Sequence, residues 1–88
     1  MAVTVVLPRS LAALIPGTER RCSVEAASVA EAIDRLDDRT PGLRNRLVDS
    51  GPSLREHINV FVNGVQADLE TSVPDGATVH VIPAVSGG

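Results

Sequence analysis

A single segment of this chain, residues 28–39, has apolar residues at helical spacing over about three turns. Val29, Ile33 and Leu36 are four and three positions apart, so a helix places them on one face, largely opposite the charged residues. Ser28 precedes them as an N-cap whose hydroxyl can accept a bond from a first-turn amide, and a Glu follows three residues later. The sequence therefore predicts one main helix, and the rest of the chain must cover its apolar face.

The other long apolar segments have the short, alternating pattern of β-strands. Asn63-Gly64 lies between two of them, and this pair favours the two-residue type I′ turn of a hairpin because both residues tolerate a positive φ. The segments expected to form strands are residues 3–7, 20–25, 58–62, 65–67 and 78–82. With the helix they give the order ββαβββ, which is an α+β domain.

Three connections can be interpreted from their residues. Residues 11–17 are expected to form a loop closed by Pro16-Gly17, after which residues 20–25 return as an edge strand beside the first strand. Leu43 and Leu47 are four residues apart and predict a short second turn of helix after the main one. Residues 49–53 are expected to form a loop.

The composition limits the partners that such a domain can have. The 88 residues include eight basic ones, all Arg, against 11 acidic ones, and Phe61 is the only aromatic residue. Nucleic-acid binding needs a concentrated positive surface, and in single-strand binders also stacking aromatics, so nucleic acid is not an expected partner. No apolar run approaches the roughly 18 residues that span a membrane, and the first residues lack the pattern of a signal peptide. We expect a soluble, cytoplasmic protein with no membrane partner.

Intrinsic enzyme activity is not expected. Cys22 is the only cysteine, which excludes an internal disulfide and leaves no Cys cluster for zinc or an iron–sulfur centre. His57 and His80 are the only histidines, and their spacing is not typical of a Ser, His and Asp triad. Cys22 is expected to be a small strand residue without thiol chemistry. No bound metal or cofactor is predicted.

The chain closes with a segment of small residues, 83–88, after a domain of residues 1–82. At roughly 3.3 Å per extended residue these six positions reach about 20 Å, which is enough to enter a partner's buried site. Gly87 and Gly88 lack Cβ atoms, so their backbone can pass a narrow channel and present a terminal carboxylate as the reactive group. The alternative is an ordinary frayed end, which is what most termini are.

A Gly-Gly end on a small ββαβββ domain without catalytic residues resembles the ubiquitin-like sulfur carriers of the β-grasp fold. These include the small subunit of molybdopterin synthase, the thiamine-biosynthesis carrier and the actinobacterial cysteine-biosynthesis carrier, and the first strand and the tail are most similar to the last of these. The resemblance covers almost the whole chain and is carried by Val3-Thr4-Val5, Pro41-Gly42-Leu43, residues 58–64, and residues 75–88 from Asp75-Gly76 onward. It implies a mixed sheet that holds the helix in its concave face, with the first and last strands adjacent and parallel.

The resemblance also implies a reaction at Gly88 that partner proteins carry out. An E1-like adenylyltransferase/sulfurtransferase would use ATP to adenylate the Gly88 carboxylate, and a sulfur donor would displace AMP to leave a thiocarboxylate. Gly87 and Ser86 would belong to the tail that enters this partner. The other implied partners are a sulfur-accepting synthase and a JAMM-type metallopeptidase. Cysteine synthesis is the favoured destination of the sulfur, with molybdopterin or a specialised natural product as alternatives.

Two other functions are consistent with the same residues. A ubiquitin-like modifier would join Gly88 to lysines of target proteins after the same adenylation. Because the chain has no Lys, polymeric tagging through its own side chains is excluded, whereas single attachment is not. A binding-only β-grasp module would not need a free terminus. The sulfur carrier is the favoured interpretation.

Strand alternation predicts two faces for the sheet. The residues expected to face the helix are Val3, Val5, Leu7, Ile58, Val60, Val62, Val79 and Val81. In a β-grasp strand order, Val6, Phe61, His80 and Ile82 lie together on the opposite face and form an apolar patch near the root of the tail, suited to a partner interface. Phe61 is the expected anchor, because aromatic residues concentrate interface energy, and the alternative is that it belongs to the core.

Overall fold

The computed structural model describes residues 2–83, and a five-stranded mixed sheet in them packs against one main helix. The elements in chain order are β1 (Ala2–Val6), α1 (Arg9–Ala12), β2 (Arg21–Glu25), α2 (Val29–Arg39), α3 (Leu43–Leu47), β3 (Val48–Asp49), β4 (Ser53–Leu54), β5 (Ile58–Val62), β6 (Val65–Ala67) and β7 (Thr78–Pro83). The sheet order is β2-β1-β7-β5-β6, in which β1 and β7 run parallel and the other neighbours run antiparallel. The α+β β-grasp fold and the adjacency of the first and last strands are confirmed.

The main helix begins where its cap residues predict. The Ser28 hydroxyl accepts a hydrogen bond from the Glu31 amide at 3.2 Å, and the Glu31 carboxylate accepts one from the Ala27 amide at 2.8 Å. Both bonds satisfy amides around the first turn that no earlier carbonyl of the helix can reach. Val29, Ile33 and Leu36 are all buried, so α2 presents the predicted apolar face to the sheet.

The inward residues of the strands form the other half of the core. Of the residues expected to face the helix, the buried ones are Val3, Val5, Leu7, Val60, Val62, Val79 and Val81. Ile58, at the start of β5, is half-buried and packs against the edge of this cluster. The predicted phase of every central strand is therefore confirmed, since a slip of one residue would have exposed the whole set.

The predicted hairpin forms between β5 and β6, with Val62 opposite Val65. Asn63 has φ 50° and Gly64 has φ 86°, the positive values that a type I′ turn requires. The Asn63 side-chain oxygen also accepts a hydrogen bond from the Thr78 amide at 3.0 Å, and the Asn63 amide donates to the Thr78 carbonyl at 2.9 Å. The turn is thereby tied to the start of β7.

Two loop predictions are wrong. The expected loop at residues 11–17 begins inside α1, a single helical turn after Pro8. The expected loop at residues 49–53 is instead a small hairpin in which Asp49 pairs with Ser53. One turn of helix and strands of two residues are too short to show a periodicity, and only contacts with the rest of the fold stabilise them.

The last strand is one residue longer than predicted. β7 continues through Pro83, which lies opposite Ile58 of β5. A proline is tolerated at the end of a strand, where the ladder does not need its missing N–H.

Candidate functional site

The candidate site lies at the end of β7, the central strand of the sheet. β7 is bonded to β1 on one side and to β5 on the other, and Pro83 is its last residue. Gly88, with Gly87 and Ser86 before it, lies outside the residues that the structure describes, so their predicted roles stay predictions. The structure does define β7, the paired strand that leads to these positions.

The four residues predicted to form an interface lie together on the sheet face opposite the helix, and we call them the outer-face patch. His80 lies opposite Val6 on one neighbouring strand and opposite Phe61 on the other. Ile82 follows two positions later on the same face of β7, closer to Pro83. The patch therefore crosses three strands, β1, β7 and β5, and ends beside the last described residue.

The side chains of the outer-face patch remain accessible to solvent. Val6, His80 and Phe61 are half-buried, and Ile82 is 44% exposed. Phe61 is neither a buried core residue nor packed against the core cluster, so the alternative that it belongs to the core is wrong. Since single exposed apolar residues are common on any surface, the informative feature is that three of them, with His80 between them, are contiguous.

Polar residues frame this patch on both edge strands. The exposed Arg21 of β2 lies opposite Val6, and the exposed Gln66 of β6 lies opposite Phe61. The Gln66 amide donates to the Asn59 side-chain oxygen at 3.2 Å, which holds both side chains on the outer face. An apolar centre with a polar rim is the usual anatomy of a protein interface.

Cys22 lies on the opposite, inner face of β2 and is half-buried. Burial raises the pKa of its thiol, the negative charge of Glu19 raises it further, and the guanidinium of Arg39 only partly opposes them. The Sγ atom lies 3.5 Å from the Glu19 carbonyl oxygen, to which the thiol donates a weak hydrogen bond. A thiol that stays protonated is a poor nucleophile, which agrees with the predicted structural role.

Within residues 2–83, no group of three or more His, Cys, Asp or Glu side chains is arranged to hold a metal ion. No helix in this part of the chain is long and apolar enough to cross a membrane.

The structure also contains a surface feature that the sequence interpretation missed. A groove of about 580 Å³ lies at the same end of the molecule as Pro83, between α1, α3 and the start of β5. Leu11 and Leu14 contribute apolar surface to it, and His57, for which no role was predicted, lines it as well. Leu14 lies two residues after the end of α1, and its amide donates to the Leu11 carbonyl oxygen at 3.1 Å, so a turn that no sequence periodicity indicates places it beside the groove.

Comparison with known proteins identifies relatives along most of the chain. Residues 13–88 match the model of the ThiS family. The tail tip assembly protein I of phage lambda is 35% identical over 77% of this chain, and the match spans only 31% of that longer protein. Small archaeal modifier protein 1 of Haloferax volcanii is 37% identical over 70% of this chain and 71% of its own length. The sulfur carrier protein CysO of Mycobacterium tuberculosis is 34% identical over the full length of both chains.

Solved structures show the same similarity in three dimensions. The crystal structure of the Amycolatopsis orientalis BexX/CysO complex contains a chain that superposes with a TM-score of 0.86 and 38% identity, covering 98% of this chain and 99% of that one. The crystal structure of the Haloferax volcanii modifier protein superposes with a TM-score of 0.82 and 31% identity over the full length of both. On its sequence and its fold, this chain belongs to the ThiS family of β-grasp sulfur carriers.

Proposed function

We propose that this protein carries sulfur as a thiocarboxylate on Gly88, formed after an E1-like enzyme adenylates the Gly88 carboxylate. The observation that carries this proposal is the match to the ThiS family, which runs through residue 88 and so includes the terminal Gly-Gly. The full-length similarity to the sulfur carrier CysO supports it. The protein is then a substrate of partner enzymes rather than an enzyme.

The proposed chemistry follows from the weak electrophilicity of a carboxylate. A Gly88 oxygen attacks the α-phosphorus of ATP and releases pyrophosphate, which leaves an acyl-adenylate. Hydrosulfide then adds to the acyl carbon, and the bond from that carbon to the AMP oxygen breaks. The products are AMP and a thiocarboxylate, which is anionic at neutral pH and a good nucleophile. ATP is used in the partner's active site and is not a ligand of this chain.

The outer-face patch is the proposed docking surface for the activating enzyme. It lies beside the last residue of β7, so an enzyme that takes up residues 84–88 has to approach it. Phe61 is its proposed anchor, because a half-buried ring loses its remaining hydration when a partner covers it. The BexX/CysO complex supports such protein partners, because there a similar chain is held in a complex with a second protein.

We propose cysteine synthesis as the destination of the sulfur, with a sulfur-accepting synthase and a JAMM-type metallopeptidase as the further partners. The support is the resemblance of the first strand and the tail to the cysteine-biosynthesis carriers, together with the similarity to CysO along the whole chain. A molybdopterin or natural-product pathway would use the same thiocarboxylate and differ only in the acceptor.

The second candidate function is protein modification, in which a lysine amine of another protein attacks the same adenylate. It is favoured by the similarity to small archaeal modifier protein 1, both in sequence and in structure. The two functions share the first step and differ in the nucleophile that displaces AMP.

Intact-mass spectrometry separates these candidates. After incubation with ATP, the activating enzyme and sulfide, a sulfur carrier gains the mass of sulfur minus that of oxygen at Gly88. The Cys22→Ser variant should gain the same mass, whereas deletion of Gly88 should abolish the gain. Sulfur found on Cys22 would refute the carrier proposal, and isopeptide adducts on added lysine-containing proteins without sulfur gain would favour the modifier.

A further inference from the structure

The groove beside Pro83 has properties that the proposed reaction does not use, and we call it the basic groove. Its apolar floor includes Leu11, Leu14, Ile58 and Pro83, and two Arg side chains, Arg46 and Arg55, line it as well. Leu14 is 55% exposed, one of the few large apolar side chains on the described surface. A concave apolar surface next to positive charge favours a ligand that has both apolar and negatively charged groups.

The charge of the basic groove is opposite in sign to that of the whole chain. The protein has a net charge of -3, yet none of the described residues that line the groove is Asp or Glu. Two ion pairs on the described surface, Arg35 with Asp38 and Arg44 with Asp34, lie outside it. Within residues 2–83 neither Arg46 nor Arg55 forms a direct ion pair with a carboxylate. A hydrogen bond from the Gly51 amide lowers the pKa of Asp49, and the Arg55 charge, acting at longer range, lowers it further.

One of these guanidinium groups is held in place by the backbone. The Arg55 Nε atom donates to the Asn45 carbonyl oxygen at 2.7 Å. This bond connects the loop before β5 to α3, the helix that carries Arg46. A guanidinium that is already oriented loses less side-chain entropy when it binds a carboxylate.

The basic groove and the outer-face patch flank the end of β7 from opposite sides. Ile82 belongs to the patch and the next residue, Pro83, lines the groove, as the alternation of a strand requires. A protein that receives the residues after Pro83 therefore approaches both surfaces at once. The patch is suited to an apolar partner surface, whereas the groove adds a requirement for negative charge.

We propose that the basic groove is a second docking site for the activating enzyme, where it binds a surface segment that carries acidic side chains next to an apolar one. This inference rests on the proposed function, because the occupant is the enzyme that takes up the tail. Carboxylates of the segment bind Arg46 and Arg55, and its apolar side chain covers Leu11 and Leu14. Complementary charge of this kind accelerates association and discriminates between partners.

The test compares charge reversal inside and outside the groove. Arg46→Glu is expected to raise the Kd for the activating enzyme about tenfold, mainly through a slower association rate, and added salt should reduce the difference. Arg35→Glu is the control for net charge, since Arg35 is also an exposed helical Arg, and its ion pair with Asp38 is exposed and contributes little to stability. It should change the Kd less than about twofold. Unfolding midpoints verify that both variants are folded.

A second pair of variants tests the apolar floor without changing charge. Leu14→Gln should raise the Kd at every salt concentration, whereas Val65→Gln, on the distant β6, should not. Equal effects of Arg46→Glu and Arg35→Glu would refute the docking site, as would tighter binding by Arg46→Glu. If light scattering shows that the wild-type protein is a dimer and that Arg46→Glu is a monomer, the groove binds a second copy of this chain. That result would also refute the docking site for the enzyme.

The failure of this inference is distinguishable from failure of the proposed function. If the wild-type protein forms the thiocarboxylate and the groove variants bind as tightly as their controls, only the docking site is wrong. If the wild-type protein binds the enzyme but gains no sulfur, the proposed reaction is wrong, while the binding comparison still decides the site.

Discussion

Replacement of Phe61 by Ala tests the outer-face patch, because this side chain is partly buried in the fold and partly exposed to solvent. Its ring is half-buried and lies next to His80 on the face opposite the helix. Complete burial of such a side chain contributes about 1.5 to 3 kcal/mol, and since most of the Phe61 side chain is already buried, that part contributes roughly 1 to 2 kcal/mol to folding. The open side of the patch leaves no closed cavity after truncation, which keeps the loss of stability below that of a core site.

The exposed part of the ring becomes buried only when a partner covers it. That burial, together with the loss of the packing contacts that the ring makes with the partner, predicts a loss of at least about 1 kcal/mol of binding free energy in Phe61→Ala, or about a fivefold higher Kd for the activating enzyme. Calorimetric titration gives the Kd, and chemical denaturation of the same protein gives the free energy of unfolding. Val65→Ala is the matched control, because Val65 is 70% exposed on β6 and should affect neither quantity strongly.

Comparison with a core variant decides the interpretation. Leu36→Ala should lower the free energy of unfolding much more than Phe61→Ala does, and the folded fraction should bind normally. If Phe61→Ala is as destabilising as Leu36→Ala and its Kd is unchanged, Phe61 is a structural residue and the patch is not an interface.

Three further predictions concern the core, the tail and the acid side of the stability profile. Leu36→Ala should cost about 2 to 5 kcal/mol of unfolding free energy, because the Leu36 side chain is only 2% exposed and its removal leaves a cavity; an unchanged denaturation midpoint would contradict this. Deletion of Gly88, or Gly87→Val, should abolish the sulfur gain seen by intact-mass spectrometry while circular dichroism and the unfolding midpoint stay unchanged, and a variant that still gains sulfur would contradict the proposed channel. Hydrogen bonds from the Gly51 amide and the Ser53 hydroxyl lower the pKa of Asp49, and the Thr71 hydroxyl lowers that of Asp68. Because both folded-state pKa values lie below the unfolded ones, the stability that these bonds contribute is present at neutral pH and is lost as the pH falls through the lowered values. Unfolding midpoints measured down to about pH 2 should therefore fall less steeply in an Asp49→Asn and Asp68→Asn double variant, and an equal slope would contradict the assignment.

Those features of the fold that depend only on residues close together in the sequence could be predicted from it. The Ser28 cap, the apolar face of α2 and the Asn63-Gly64 turn each involve bonds or φ values within a few residues, so their patterns indicate them directly. The division of each strand into an inner and an outer face follows equally from alternation. The segments α1, β3 and β4 could not be predicted, since pieces of two to four residues have no period and form only when the fold supplies their contacts.

The candidate site also has a part that the sequence predicts and a part that only the tertiary structure shows. The residues of the outer-face patch could be named from their phase on each strand, but their contiguity depends on β7 lying between β1 and β5, a long-range pairing that no local pattern records. The basic groove was invisible in the sequence, because α1, α3 and the ends of β5 and β7 meet there from distant positions of the chain. Local hydrogen bonding and side-chain periodicity therefore determined the main helix, the long strands and their faces, whereas tertiary packing alone formed the shortest elements and decided which faces and charges came together at the end of β7.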